Sequence, residues 1–281
     1  MWFILALLTA ALWGVGQVFA KKGLSHVSPL IYNVLSTIFA LVIWVPFALW
    51  QGVDFQLLPS LVPFTLIIGV MYLVYYYILE KGQVSLTGTI LAMYPLATIL
   101  LSAVFLHEQT SVFQKIAIGA ILSGAALLAL PKDKEELRKF KLESWVLWGL
   151  LGAMVMGFGD FMAKVTINKS DAYTYLFALA LAYIPVNIAN YILDPKGRRF
   201  PTAHWKKLWP TLVGVVMITL GIVPFNIAFS YGLASLVTPI SSSYVIITVI
   251  LAYFFLKEQL TKMHVIGIAV SVLGIVLLGI S

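Results

Sequence analysis

The sequence predicts an all-α membrane protein of ten transmembrane helices, arranged as two inverted five-helix repeats. Three observations carry this. Of 281 residues, 61% are hydrophobic and 10% charged, and the mean hydropathy is +0.99, a composition that a water-soluble domain does not have. The chain also repeats itself: Gly82 to Gln109 aligns with Gly232 to Gln259 at a constant offset of 150 residues. That register matches Ser85 to Ser235, Tyr94 to Tyr244, Thr98 to Thr248 and Glu108-Gln109 to Glu258-Gln259. Shared leucines could arise from apolar composition, but shared Tyr, Thr, Gly and Glu-Gln in one register mark a duplication. A second match, at offset 143, pairs Gly14 to Lys21 with Gly157 to Lys164. Each copy holds five apolar stretches, and an odd number of crossings puts the second copy into the bilayer upside down.

Crossing the hydrocarbon layer takes about 20 apolar residues of helix. Ten stretches qualify: 2–20, 30–50, 61–79, 85–106, 113–130, 145–163, 173–193, 209–229, 235–256 and 263–280. The first could pass for a cleaved leader, but no basic residue precedes it and its Gly-x-Gly pattern recurs in the second copy, so it reads as a retained helix. Connections are short except for 131–144 and 194–208. The charged run Pro131 to Lys139 is the seam. It divides the chain into a first five-helix repeat at 1–130, a cytoplasmic linker at 131–144 and a second repeat at 145–281. Fifteen of the 18 Lys and Arg residues follow odd-numbered spans. The positive-inside rule makes that side cytoplasmic and both termini extracytoplasmic, in a plasma (inner) membrane.

With ten spans in two halves, Trp13-Gly14 in the first helix and Glu108 and Glu258 closing the fourth and ninth, the chain resembles the drug/metabolite transporter superfamily, and within it the EamA-type permeases. The resemblance covers nearly the whole chain and implies a permease for a small metabolite. It does not name the substrate. Small four-span relatives carry an acidic residue in their first helix as proton and drug site. The first helix here has none, so that mechanism does not carry over.

Asp160 is the most informative single residue. A carboxylate inside a span costs about 2.5–3.5 kcal/mol on insertion scales, so such groups mostly face a cavity and do work. If span 6 stops at Ala163 it lies near the rim, beside Lys164 at the favourable i+4 spacing. If Val165-Thr166-Ile167 extends the helix, it lies deep. Its counterpart Gln17 is polar and uncharged.

Glu108 and Glu258 end spans 4 and 9, where the helix dipole disfavours negative charge. Lys164 ends span 6 on the side of Glu108, and Lys21 ends span 1 on the side of Glu258. The expectation is two related gate pairs, Lys164 with Glu108 and Lys21 with Glu258, against the plainer reading of four solvated anchors. Pro95 and Pro239 each remove a backbone bond within a span, and broken backbone at membrane depth must face protein or water. Hydroxyls crowd these kinks. The recurrence of Tyr94 and Thr98 as Tyr244 and Thr248 points to helices lining a shared cavity. Tyr76 in span 3 and Asn226 in span 8 join the expected pathway, although Tyr75 to Tyr77 also fit an interfacial belt. Asn187 and Asn190 raise the same question. Gly119-x-x-x-Ser123 recurs as Gly267-x-x-x-Ser271, spacing that allows close helix packing or dimerisation.

No phosphate loop, His-Glu-x-x-His motif or clustered acid-base set is present, and there is no cysteine. The expectation is therefore a secondary transporter and not an enzyme, without cofactor, catalytic or metal site. Its partners would be a neutral or zwitterionic small molecule, a proton or other coupling ion and the lipid bilayer, with no nucleic acid. It would act as a monomer or homodimer. The alternatives are an enzyme acting on lipid and a non-transporting sensor or assembly protein.

Overall fold

The computed structural model describes residues 1–24, 26–81, 93–128, 144–198, 208–256 and 260–281. These form eleven helices: α1 Trp2–Leu24, α2 Pro29–Gln51, α3 Leu58–Lys81, α4 Pro95–Phe105, α5 Val112–Leu128, α6 Ser144–Lys169, α7 Ala172–Leu193, α8 Trp209–Tyr231, α9 Ala234–Ser242, α10 Tyr244–Leu256 and α11 Lys262–Gly279. No strand occurs among the described residues. Eight stretches are long and apolar enough to cross a membrane, with α9 and α10 together supplying one, while α4 and α5 are shorter apolar helices. The fourth expected span is described only from residue 93 onward, so Pro95 opens a described helix instead of kinking one. The charged seam at 131–139 lies outside the described residues.

Polar side chains are buried among the apolar core, and large apolar side chains are left exposed on the outside. Thr9, Asn33, Thr37, Thr98, Ser102, Asp160 and Asn226 are buried, whereas Ile4, Val42, Leu100, Met154, Ile192, Phe254 and Leu273 are exposed. A solvated domain would reverse this, and exposed apolar surface on nearly every helix suits contact with acyl chains.

Helix ends are set by local caps. Ser28 caps α2 through Ile31 N, with Pro29 at the first helical position, where its missing N–H costs nothing. Asp171 caps α7 through the N–H groups of Tyr173 and Thr174. Thr261 and His264 form a reciprocal capping box at α11. Helix α6 runs past Ala163 to Lys169, with Thr166 Oγ1 donating back to Met162 O and Ser170 Oγ to Thr166 O at its end.

Contacts between helices follow the repeat. Exchanging α1 with α6, α2 with α7, α3 with α8, α4 with α10 and α5 with α11 turns the α1–α8 packing into α6–α3, and α1–α10 into α6–α4. The α2–α7 and α5–α11 pairs map onto themselves. Atomic contacts recur as well. Thr98 Oγ1 donates to Gly157 O at 3.1 Å, and its counterpart Thr248 Oγ1 reaches Gly14 O at 3.2 Å. A Cβ on Gly157 would meet Tyr94 O and Ala97, and one on Gly14 would meet Tyr244 O and Ile247, the same positions in the other copy.

The two Gly-x-x-x-Ser motifs part company. Gly267 and Ser271 pack inside the bundle against Gly124 and Ile121 of α5, while Gly119 and Ser123 are exposed. A Cβ on Gly124 would run into Ser271 Oγ and lie 2.6 Å from Gly267 O, whereas one on Gly119 meets nothing within 4 Å. Gly124→Ala is expected to cost about 1–3 kcal/mol by overpacking, seen as a lower melting temperature of the purified protein, and Gly119→Ala to leave it unchanged.

Candidate functional site

A cavity of about 70 Å³ lies beside the α1–α8 crossing. Its walls come from both copies. Trp13, Gln17, Asn33, Ser36, Thr37, Trp44, Tyr72, Tyr75, Tyr76 and Tyr94 belong to the first, and Met156, Tyr183, Asn187, Thr219, Ile222 and Tyr244 to the second. None of these described lining residues is charged. Aromatic faces dominate the wall, and a few amides and hydroxyls stand among them.

Each polar group is positioned by a neighbouring helix. Gln17 Nε2 donates to Tyr75 OH at 2.8 Å. Asn187 Nδ2 donates to Thr37 Oγ1 at 2.8 Å and to Tyr183 O at 3.1 Å, which fixes the amide orientation, since a carbonyl only accepts. Its Oδ1, like Tyr94 OH, is buried without a partner. The indole of Trp44 donates to Thr219 O at 2.9 Å and that of Trp13 to Ile218 O at 3.2 Å, which holds both rings in the wall. Ring pairs Trp13–Tyr244, Trp44–Tyr183 and Tyr75–Tyr76 lie 6.2, 5.7 and 5.2 Å apart between centroids.

Of the residues singled out in the sequence, Gln17, Tyr76, Tyr94 and Tyr244 line this cavity. Tyr75 and Tyr76 are buried in it and do not form an interfacial belt. Thr98 and Thr248 instead bond glycine carbonyls between helices, and Asn226 donates to Ile222 O on its own helix. Asp160 lies deep in α6, 1% exposed, and accepts from Tyr72 OH at 3.4 Å. The contributions of α2, Asn33, Ser36, Thr37 and Trp44, were not singled out. Their sequence signal is a polar residue every three or four positions along one face of an otherwise apolar span.

Glu108 and Lys164 meet at one place. His107, with φ 53°, turns the chain after α4, and the N–H of Glu108 returns to Ser102 O. Glu108 thereby leaves its own helix end and caps another: it accepts from the N–H groups of Ala234 and Ser235, both at 2.9 Å, and from Ser235 Oγ. Lys164, inside α6 and not at its end, donates to Phe229 O and Gly232 O at the end of α8. The carboxylate thus faces a helix N-terminus and the ammonium a C-terminus, where the dipole favours each. The two side chains hold the same turn rather than each other. Glu258 lies outside the described residues, as does the side chain of Lys21.

A model of the EamA-like transporter family matches residues 1–130 and 143–280. An uncharacterized transporter of Archaeoglobus fulgidus is 28% identical over 98% of this chain and 97% of its own length. An uncharacterized protein of Methanocaldococcus jannaschii is 33% identical over 144 residues, 50% of this chain but 99% of that one. A probable terminal-alkyne amino-acid exporter of Streptantibioticus cattleyicolor is 26% identical over 73% of this chain and 68% of its own.

Because Glu108 and Lys164 grip one turn, their losses should not add. Glu108→Ala and Lys164→Met are each expected to lower stability by about 0.5–2 kcal/mol, and the double variant to fall short of the sum by at least about 0.5 kcal/mol. Denaturation of the four proteins in detergent measures this.

Proposed function

The chain belongs to the EamA-like transporter family, and from that premise we propose that it is a secondary active transporter of the plasma (inner) membrane. It moves a small polar metabolite, such as an amino acid or a related compound, by alternating access. The observation that carries this reading is one uncharged, aromatic-walled cavity built from both copies. Such a wall suits a neutral or zwitterionic solute held by amides, hydroxyls and ring faces. The name of the Streptantibioticus relative, an amino-acid exporter, supports the substrate class.

In this reading ten helices cross the bilayer as two inverted repeats, 1–130 and 145–281, joined by a linker at 131–144, with both termini extracytoplasmic. Recurrence of the Thr98–Gly157 contact as Thr248–Gly14 supports the twofold relation. The Methanocaldococcus relative, matched over 99% of its length by half of this chain, supports the duplication. Glu108 and Lys164 close one side by fixing the α8–α9 turn, and release of that turn opens it. Lys21 and Glu258 would serve the other side, on the evidence of the sequence repeat. Gln17, Tyr76, Tyr94 and Tyr244 contact the solute, and Thr98, Thr248 and Asn226 shape the helices around it.

Proteoliposomes loaded with labelled amino acids test the proposal. Uptake or exchange should exceed that of protein-free vesicles, and Gln17→Ala or Asn187→Ala should raise the apparent KM about tenfold, the worth of one lost hydrogen bond. Flux equal to the empty vesicles across an amino-acid and metabolite panel would sink the carrier reading.

A further inference from the structure

Helix α6 extends from Ser144 to Lys169, so Asp160 is more than two turns from either end. Its Oδ1 accepts from Tyr72, while Oδ2 is buried with no partner. An ionised carboxylate is acceptor-only and calls for donors at both oxygens, and an isolated buried charge is expensive. With one donor and no cation bonded to it, the carboxyl is held more cheaply as the neutral acid, its proton on Oδ2 because Oδ1 accepts from Tyr72.

The surroundings agree. The titratable groups near Asp160 are Tyr72 from α3, Tyr94 before α4 and Tyr175 from α7, all able to stay neutral. Helices α4 and α9 contain no titratable residue, and α8 contains only Tyr231, 54% exposed at its end. Lys164, one turn on, is committed to the carbonyls of Phe229 and Gly232, with Glu108 beyond it. Among the described residues no three acidic or histidine side chains gather to hold a metal ion.

We propose that Asp160 is a proton-binding site coupled to the cavity through Tyr72. The inference rests on the carrier reading above and deepens it. Tyr72 lines the cavity and also bonds Asp160, so a solute that takes the Tyr72 hydroxyl removes the one donor the carboxyl has. When opening admits water, the Oδ2–H bond breaks, its electron pair stays on the carboxylate and the proton passes to a water molecule. Return of a proton to Oδ2 restores the buried neutral form. Tyr72 is a positioning residue in this cycle.

Infrared difference spectra of the full chain in nanodiscs, titrated with pH, test the site without any solute. A protonated-carboxyl band is expected in the native protein, absent in Asp160→Asn and displaced in Tyr72→Phe, with both variants melting cooperatively. An identical band in Asp160→Asn would overturn the inference. In proteoliposomes given an equimolar mixture of labelled amino acids, an imposed pH difference should drive accumulation by up to about tenfold per pH unit. Asp160→Asn should keep exchange and lose that gain. Flux indifferent to pH, or driven by sodium instead, would overturn the proton site and leave the carrier standing. A band without any flux would support the site and remove the carrier.

Discussion

The fold depends on satisfying the backbone groups left open where helices end or break. Out of reach of water, each unpaired N–H or C=O costs several kcal/mol. In the second copy the chain turns between α8 and α9, and the span that follows breaks again at Ser243. At the first break, charged side chains from α6 and from the end of α4 take the exposed carbonyls and N–H groups. At the second, Ser242 and Ser243 return their hydroxyls to Pro239 O and Ile240 O, carbonyls of the turn before the break.

Polar groups are buried within the apolar core for a related reason. Lipid tails give helices no hydrophobic reason to associate, so packing relies on small residues and hydrogen bonds. Glycines at the α6–α4 and α1–α10 crossings bring backbones close enough for a threonine to bond a carbonyl across the gap. A cavity then fits between helices that touch closely elsewhere.

Much of this was legible in the sequence. The repeat register alone paired Thr98 with Thr248 and Gly14 with Gly157, and the structure finds these residues in matching contacts. Their role was harder to read, because a hydroxyl facing solute and one bonding a neighbouring carbonyl look the same in a string of letters. The extent of α6 was ambiguous because Val165 and Ile167 suit either a span or its rim. Glu108 was misplaced electrically: its own helix end disfavours it, and only tertiary structure supplies the helix start that it caps. The wall formed by α2 escaped notice because its amide and hydroxyls are spaced among residues that face lipid.

Two indoles, Trp13 and Trp44, form part of the cavity wall, each tied to a backbone carbonyl of α8. Indole emission responds to the polarity and quenching groups around it, so this chamber carries its own optical reporter. Occupancy can be followed by intrinsic fluorescence, with no label attached.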